Sequence, residues 1–131
     1  MDKYIIAVYG TLKRGRPNYP RFLARDDVAF IGTGKTSNAY PLYVSGLPFL
    51  IDSPGLGYNV VVEVFAVTER VFAELDRLEG HPNFYRRQEI GVNLDSGGTA
   101  KAWCWFISPG YFEHSSAAQS ATKPSRWVSE Y

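Results

Sequence analysis

The stretch from Val60 to Gly80 constrains the fold more tightly than any other part of the chain, because a strand pattern there passes directly into a helix pattern. Val60 to Val67 is dense in β-branched and aromatic residues, which favour an extended backbone. Thr68 then stands where a hydroxyl can accept from the orphan amides of a first helical turn. A helix is therefore predicted from Glu69, and Gly80 is placed to end it. A strand that hands over to a helix without a loop needs a sheet for the one and a packing face for the other.

Rotation by about 100° per residue assigns the faces of that helix. With Val71 at zero, Leu75 falls near ~40°, Phe72 near ~100° and Leu78 near ~340°, and these define a core-facing stripe. Glu74 and Arg77 point away and Asp76 lies at the margin, but Glu79 falls near ~80°, inside the stripe. Burying a carboxylate without a partner is costly, so its position has two readings. Either Glu79 is a functional acid held in an apolar site, or it curls out to water from a frayed last turn or pairs with Arg86.

Tyr4 to Tyr9 reads as a buried strand that stops at Gly10, and a loop runs from Thr11 to about Pro20. Gln88 to Leu94 alternates, with Ile90, Val92 and Leu94 on one face, and Ala100 to Ile107 is again rich in strand formers. Asp95, Ser96, Gly97 and Gly98 supply the turn of a hairpin between them. From Ser108 the composition shifts to Ser, Ala, Gln and Pro, which predicts a loosely held tail until Trp127 offers something to pack. The 131 residues fit one domain, 1–131. The expected architecture is α+β: a curved, barrel-like, mostly antiparallel sheet with a helix packed on it, its strand order left open.

Several function classes fall away. Lys and Arg total 14 against 13 Asp and Glu, so the net charge of +1 gives no broad footprint for nucleic acid or an anionic membrane. No apolar run approaches the ~20 residues that span a bilayer. Cys104 is the only cysteine and makes no internal disulfide, and no signal peptide begins at Met1, so the cytosol is expected. Gly32-Thr33-Gly34-Lys35-Thr36 superficially suggests a phosphate loop, but Ala29 stands where that motif needs glycine, and Pro41 blocks the helix that should follow. His81, His114 and Cys104 lack the spacing of a zinc site, and no nucleophile elbow is present, so neither metal nor cofactor is expected. Lys13, Arg14, Arg16, Arg21 and Arg25 read as a solvated basic loop. Glu63 interrupts its strand on the face of Val61 and Phe65, either half-buried or paired at an edge.

Tyr9-Gly10-Thr11-Leu12, directly after the first strand, can present successive main-chain amides to an anion, or can simply be a turn. Two motifs then coincide: Val8-Tyr9-Gly10-Thr11-Leu12-Lys13-Arg14-Gly15, and Leu75-Asp76-Arg77-Leu78-Glu79-Gly80-His81-Pro82 followed by Tyr85-Arg86. Together they resemble the γ-glutamylcyclotransferase superfamily (AIG2-like). Pro17-Asn18, Tyr40-Pro41-Leu42, Pro48-Phe49-Leu50 and Pro54-Gly55-Leu56-Gly57 bring the chain nearest to the γ-glutamylamine cyclotransferase branch. The resemblance implies a small barrel-like α/β fold and an enzyme needing no cofactor. It implies release of 5-oxoproline and a free amine from a γ-glutamyl amine such as ε-(γ-glutamyl)lysine. It also implies that Glu79 is the catalytic acid and base, and that Tyr9, Gly10, Thr11, Leu12 and Tyr85 hold the substrate. Glutathione or γ-glutamyl peptide cyclisation, and non-catalytic binding of γ-glutamyl ligands, remain as alternatives.

Overall fold

The computed structural model describes residues 3–109 and 123–131. Its centre is a closed barrel of β1 (Lys3–Val8), β5 (Tyr58–Thr68), β2 (Val28–Tyr40), β6 (Tyr85–Leu94) and β7 (Thr99–Ile107), in that order around the wall. The remaining elements are α1 (Tyr19–Phe22), a separate hairpin of β3 (Leu42–Ser45) and β4 (Leu47–Leu50), and α2 (Glu69–Glu79). The barrel pairs are antiparallel except where β1 meets β7, with Ile6 opposite Trp103, and that parallel contact closes the wall. The α+β expectation of a barrel-like, mostly antiparallel sheet carrying a helix therefore holds.

Strand alternation divides the apolar residues between two clusters. Ala7, Val60, Val62, Val64, Ile90, Val92, Ala102, Cys104 and Phe106 belong to a cluster fed by all five strands, which fills the barrel interior. Ile6, Phe65, Val67, Trp105 and Ile107, from the opposite strand faces, pack against Val71, Phe72 and Leu75 of α2. Thus α2 lies on the outside of the barrel, held by the stripe its periodicity predicts. Leu78 departs from that stripe: it is 39% exposed, because the last turn of α2 overhangs a cavity rather than the wall.

The segment that superficially suggests a phosphate loop is part of strand β2. Gly34 faces Val62 on one side and Leu94 on the other, and a Cβ there would stand 2.4 Å from the Asn93 carbonyl oxygen. Close strand approach, not a ligand, demands the glycine.

The tail expected from Ser108 falls largely on 110–122, outside the described residues. Beyond it, Pro124–Arg126 form a short 3-10 turn. Trp127 is half-buried, the Val128 amide donates to the Leu42 carbonyl at 2.9 Å, and the Val61 amide donates to the Ser129 carbonyl at 2.8 Å. This last segment is a strap across the hairpin and β5.

Candidate active site

The helix that carries Glu79 is fixed at both ends. The Thr68 hydroxyl accepts from the Val71 amide at 3.4 Å, and Gly80 closes the C-terminus in the left-handed region, φ 67° and ψ 33°. Between them Phe72 stacks on Tyr4, with ring centres 4.4 Å apart. These restraints deliver Glu79, the last residue of α2, to the wall of a cavity of about 210 Å3.

Tyr9, Gly10, Thr11, Leu12, Tyr85 and Glu79, the residues singled out in the sequence, all line this one cavity. The Glu79 carboxylate makes no hydrogen bond or ion pair among the described residues, and the Arg86 pairing left open above is not formed. Burial pushes its carboxyl up to about 7. Among the described residues of the lining, Glu79 alone is an Asp, Glu, Lys or Arg. A carboxyl group so placed can exist in either protonation state near neutrality, which is what proton transfer in both directions requires.

The loop after β1, whose residues line the cavity, is tied down at several points. The Tyr9 hydroxyl donates to the Trp105 carbonyl at 2.7 Å. The Lys13 amide returns to the Gly10 carbonyl at 3.0 Å, and Asn18 bonds Thr11 twice, its amide to the carbonyl at 2.9 Å and its side chain to the hydroxyl at 2.8 Å. Glu63 accepts from the Arg14 amide at 2.7 Å and faces the Arg14 guanidinium at 3.4 Å, so the half-buried carboxylate anticipated in β5 is an anchor for this loop. By contrast, the amides of Gly10, Thr11 and Leu12 donate to no acceptor among the described residues.

Although Gly10 ends the strand, it does not use backbone angles closed to other residues, since its φ is not positive. Its constraint is space: a Cβ would meet the Tyr131 ring at 3.3 Å and Pro48 at 3.4 Å. Leu12 turns its side chain into the core beneath α2, so its main chain is what it offers to a ligand. The Tyr85 ring is buried, and its hydroxyl donates to the Pro48 carbonyl, clamping the β3–β4 hairpin over the cavity.

The basic stretch is the solvated loop expected only in part: Arg14, Arg16 and Arg21 are exposed, but its two outer members are drawn inward. Lys13 is only 5% exposed and pairs with Glu130 at 3.3 Å, while Arg25 is held by Glu74 at 2.6 Å and Asp27 at 3.3 Å.

Behind the cavity, Asp76 accepts from the Trp105 indole at 3.0 Å and from Arg87, whose guanidinium lies over Phe72 and Trp103 at 4.8 and 5.5 Å. Sequence reasoning placed Asp76 only at the stripe's margin, met Asn18 only as part of the Pro17-Asn18 motif, and gave no signal for Trp105 or Tyr131, because their contacts come from distant segments. Among the described residues no group of His, Cys, Asp or Glu is gathered that could hold a metal ion, and no helix is long and apolar enough to cross a membrane.

Residues 6–129 match the family model described as γ-glutamyl cyclotransferase, AIG2-like. The γ-glutamylaminecyclotransferase of Bos taurus is 35% identical over 128 residues, covering 94% of this chain and 69% of the bovine one. The human protein of the same name is 42% identical over 95 residues, covering 69% of this chain and 62% of its own. The crystal structure of an AIG2-like protein from Mus musculus superposes with a TM-score of 0.79 at 27% identity, covering 100% of this chain and 89% of the mouse chain. With a barrel of the same build around a cavity that collects both sequence motifs, the chain belongs to the γ-glutamyl cyclotransferase, AIG2-like family of cyclotransferase enzymes.

Proposed function

We propose that the protein cyclises γ-glutamyl amines, ε-(γ-glutamyl)lysine being the leading example, to 5-oxoproline and the free amine. The observation that carries this reading is the unpaired Glu79 carboxyl, raised to about 7, in the same cavity as the unbonded amides of Gly10, Thr11 and Leu12.

The substrate enters with its α-amine as an ammonium, which is no nucleophile. Ionised Glu79 takes one proton from it, and the amine nitrogen attacks the γ-carbonyl carbon, closing a five-membered ring. Negative charge moves to the carbonyl oxygen, which accepts hydrogen bonds from the loop amides. Protonated Glu79 then gives its proton to the γ-amide nitrogen, the C–N bond breaks with its electron pair leaving on the amine, and the carbonyl re-forms. The ring nitrogen still carries two hydrogens and a positive charge; ionised Glu79 takes one of them and passes it to the departing amine, which leaves as an ammonium. Protons and electron pairs then balance, Glu79 ends as it began, and no covalent bond to the enzyme forms. Holding the chain folded supplies much of the rate, since attack within one molecule needs no second encounter.

The names of the bovine and human relatives support an amine rather than a peptide as the leaving group. A cytosolic setting, where Cys104 remains a thiol, completes the reading. The test is 5-oxoproline release from ε-(γ-glutamyl)lysine and from glutathione, measured side by side. Release from the first and little from the second is expected; release from neither would remove the proposal.

A further inference from the structure

Lys13 poses a question that the reaction leaves open. Its ammonium is taken almost wholly out of water, at a substantial solvation cost, to meet Glu130, whose side chain is 59% exposed. Lys13 directly follows the loop whose residues line the cavity, and Glu130 directly precedes Tyr131. The same strap is fixed again at Val128 and Ser129 through main-chain bonds to Leu42 and Val61. The outcome of these anchors is the placement of one ring: Tyr131 lines the cavity and covers the position where Gly10 would carry a side chain. No hydrogen bond of the Tyr131 hydroxyl is formed among the described residues.

We infer that Tyr131 is a substrate-contacting residue that packs on the glutamyl end of the ligand, and that the Lys13–Glu130 pair holds it there. This rests on the cyclotransferase reading above. Gly10 belongs to the loop that would bind the glutamyl moiety, and the ring sits against Gly10, so the contact is common to every γ-glutamyl ligand whatever amine it carries. Leu47 and Leu78, 46% and 39% exposed at the cavity's other walls, are left to meet the leaving amine.

The experiment compares the full chain with Tyr131→Ala and Glu130→Ala, using calorimetric titration of 5-oxoproline and steady-state turnover of two γ-glutamyl amines that differ in the amine. In folded Tyr131→Ala, 5-oxoproline affinity should fall at least 10-fold and KM should rise by a similar factor for both substrates, with kcat changed less than about 3-fold. Glu130→Ala changes a largely exposed side chain and should weaken 5-oxoproline binding in the same direction by at least about 3-fold. That variant carries the test should Tyr131→Ala fail to fold. Affinity within twofold of wild type in either folded variant, or a KM effect confined to one amine, would overturn the inference. A wild-type protein that neither binds 5-oxoproline nor releases it would instead refute the underlying cyclotransferase reading, and this contact with it.

Discussion

The hydroxyl of Tyr9 donates to the main-chain carbonyl of Trp105 at 2.7 Å, and so couples the first residue of the loop to the strand that closes the barrel. The phenol is fully committed. Burial, reinforced by Tyr85, Cys104 and Glu79, drives its pKa well above the ordinary value, so it stays neutral and serves as a strut rather than a base. Trp105 in turn donates its indole N–H to Asp76, one turn of α2 before Glu79. Loop, β7 and helix are thereby held in one frame around Glu79, whose carboxyl is poised to titrate near neutrality.

Glu79→Gln keeps the shape of the side chain and removes the proton acceptor. Turnover should drop at least about 100-fold with the fold retained. In the wild-type enzyme kcat/KM should fall on the acid side with an apparent pKa near 7, and this limb should vanish from the residual activity of the variant. An unchanged acid limb in Glu79→Gln would assign the titration to another group.

The same carboxyl has a stability signature. Its folded pKa of about 7 lies above its ordinary 4.5, so the native state holds the proton more tightly. The contribution is fully present below pH 4.5, erodes as pH rises, and is lost above 7, in all about 3 kcal/mol. Chemical denaturation across that window should show Glu79→Gln gaining on wild type as pH rises and surpassing it at pH 8.

Gly10→Val places methyl groups where Tyr131 and Pro48 already stand. Since the backbone angles there suit any residue, stability should fall by only about 1–2 kcal/mol from crowding. Titrated 5-oxoproline should bind at least 10-fold more weakly. Equal affinity in the variant would mean that the loop serves the fold alone.

Asp76→Asn removes the charge that faces Arg87, whose Nε already lacks a partner among the described residues. Both side chains keep some solvent, at 22% and 27%, so the loss should be about 2 kcal/mol rather than that of a fully buried pair. Thermal melts should show it, and kcat should fall several-fold as Trp105 and Tyr9 lose their setting. Full kcat in a destabilised variant would confine Asp76 to a structural role.

The parts of the fold legible in the sequence are those written locally. Thr68 and Gly80 mark the limits of α2 because caps act within one turn, and Asp95 to Gly98 mark the β6–β7 turn. Strand β2 was hidden because Gly34 answers to neighbours on two other strands, and the short β3–β4 hairpin was masked by Pro41 and Pro48. At the site, helix periodicity carried Glu79 inward and misjudged Leu78, which overhangs the cavity. Periodicity is blind to contacts between remote segments, so the approach of Tyr131 to Gly10 and of Trp105 to Asp76 became visible only in three dimensions.

The parallel seam between β1 and β7 also dictates when the molecule can act. Ile6 must find Phe65 on one side and Trp103 on the other, contacts far apart along the chain, before the wall is continuous. Such non-local pairings slow assembly, and a nascent chain leaving the ribosome holds Glu79 and the loop after β1 without a closed wall until β7 has been synthesised. On the reading proposed above, a γ-glutamyl ligand that binds the closed barrel and not the open chain would act as a thermodynamic chaperone, shifting the folding equilibrium in proportion to its concentration over Kd.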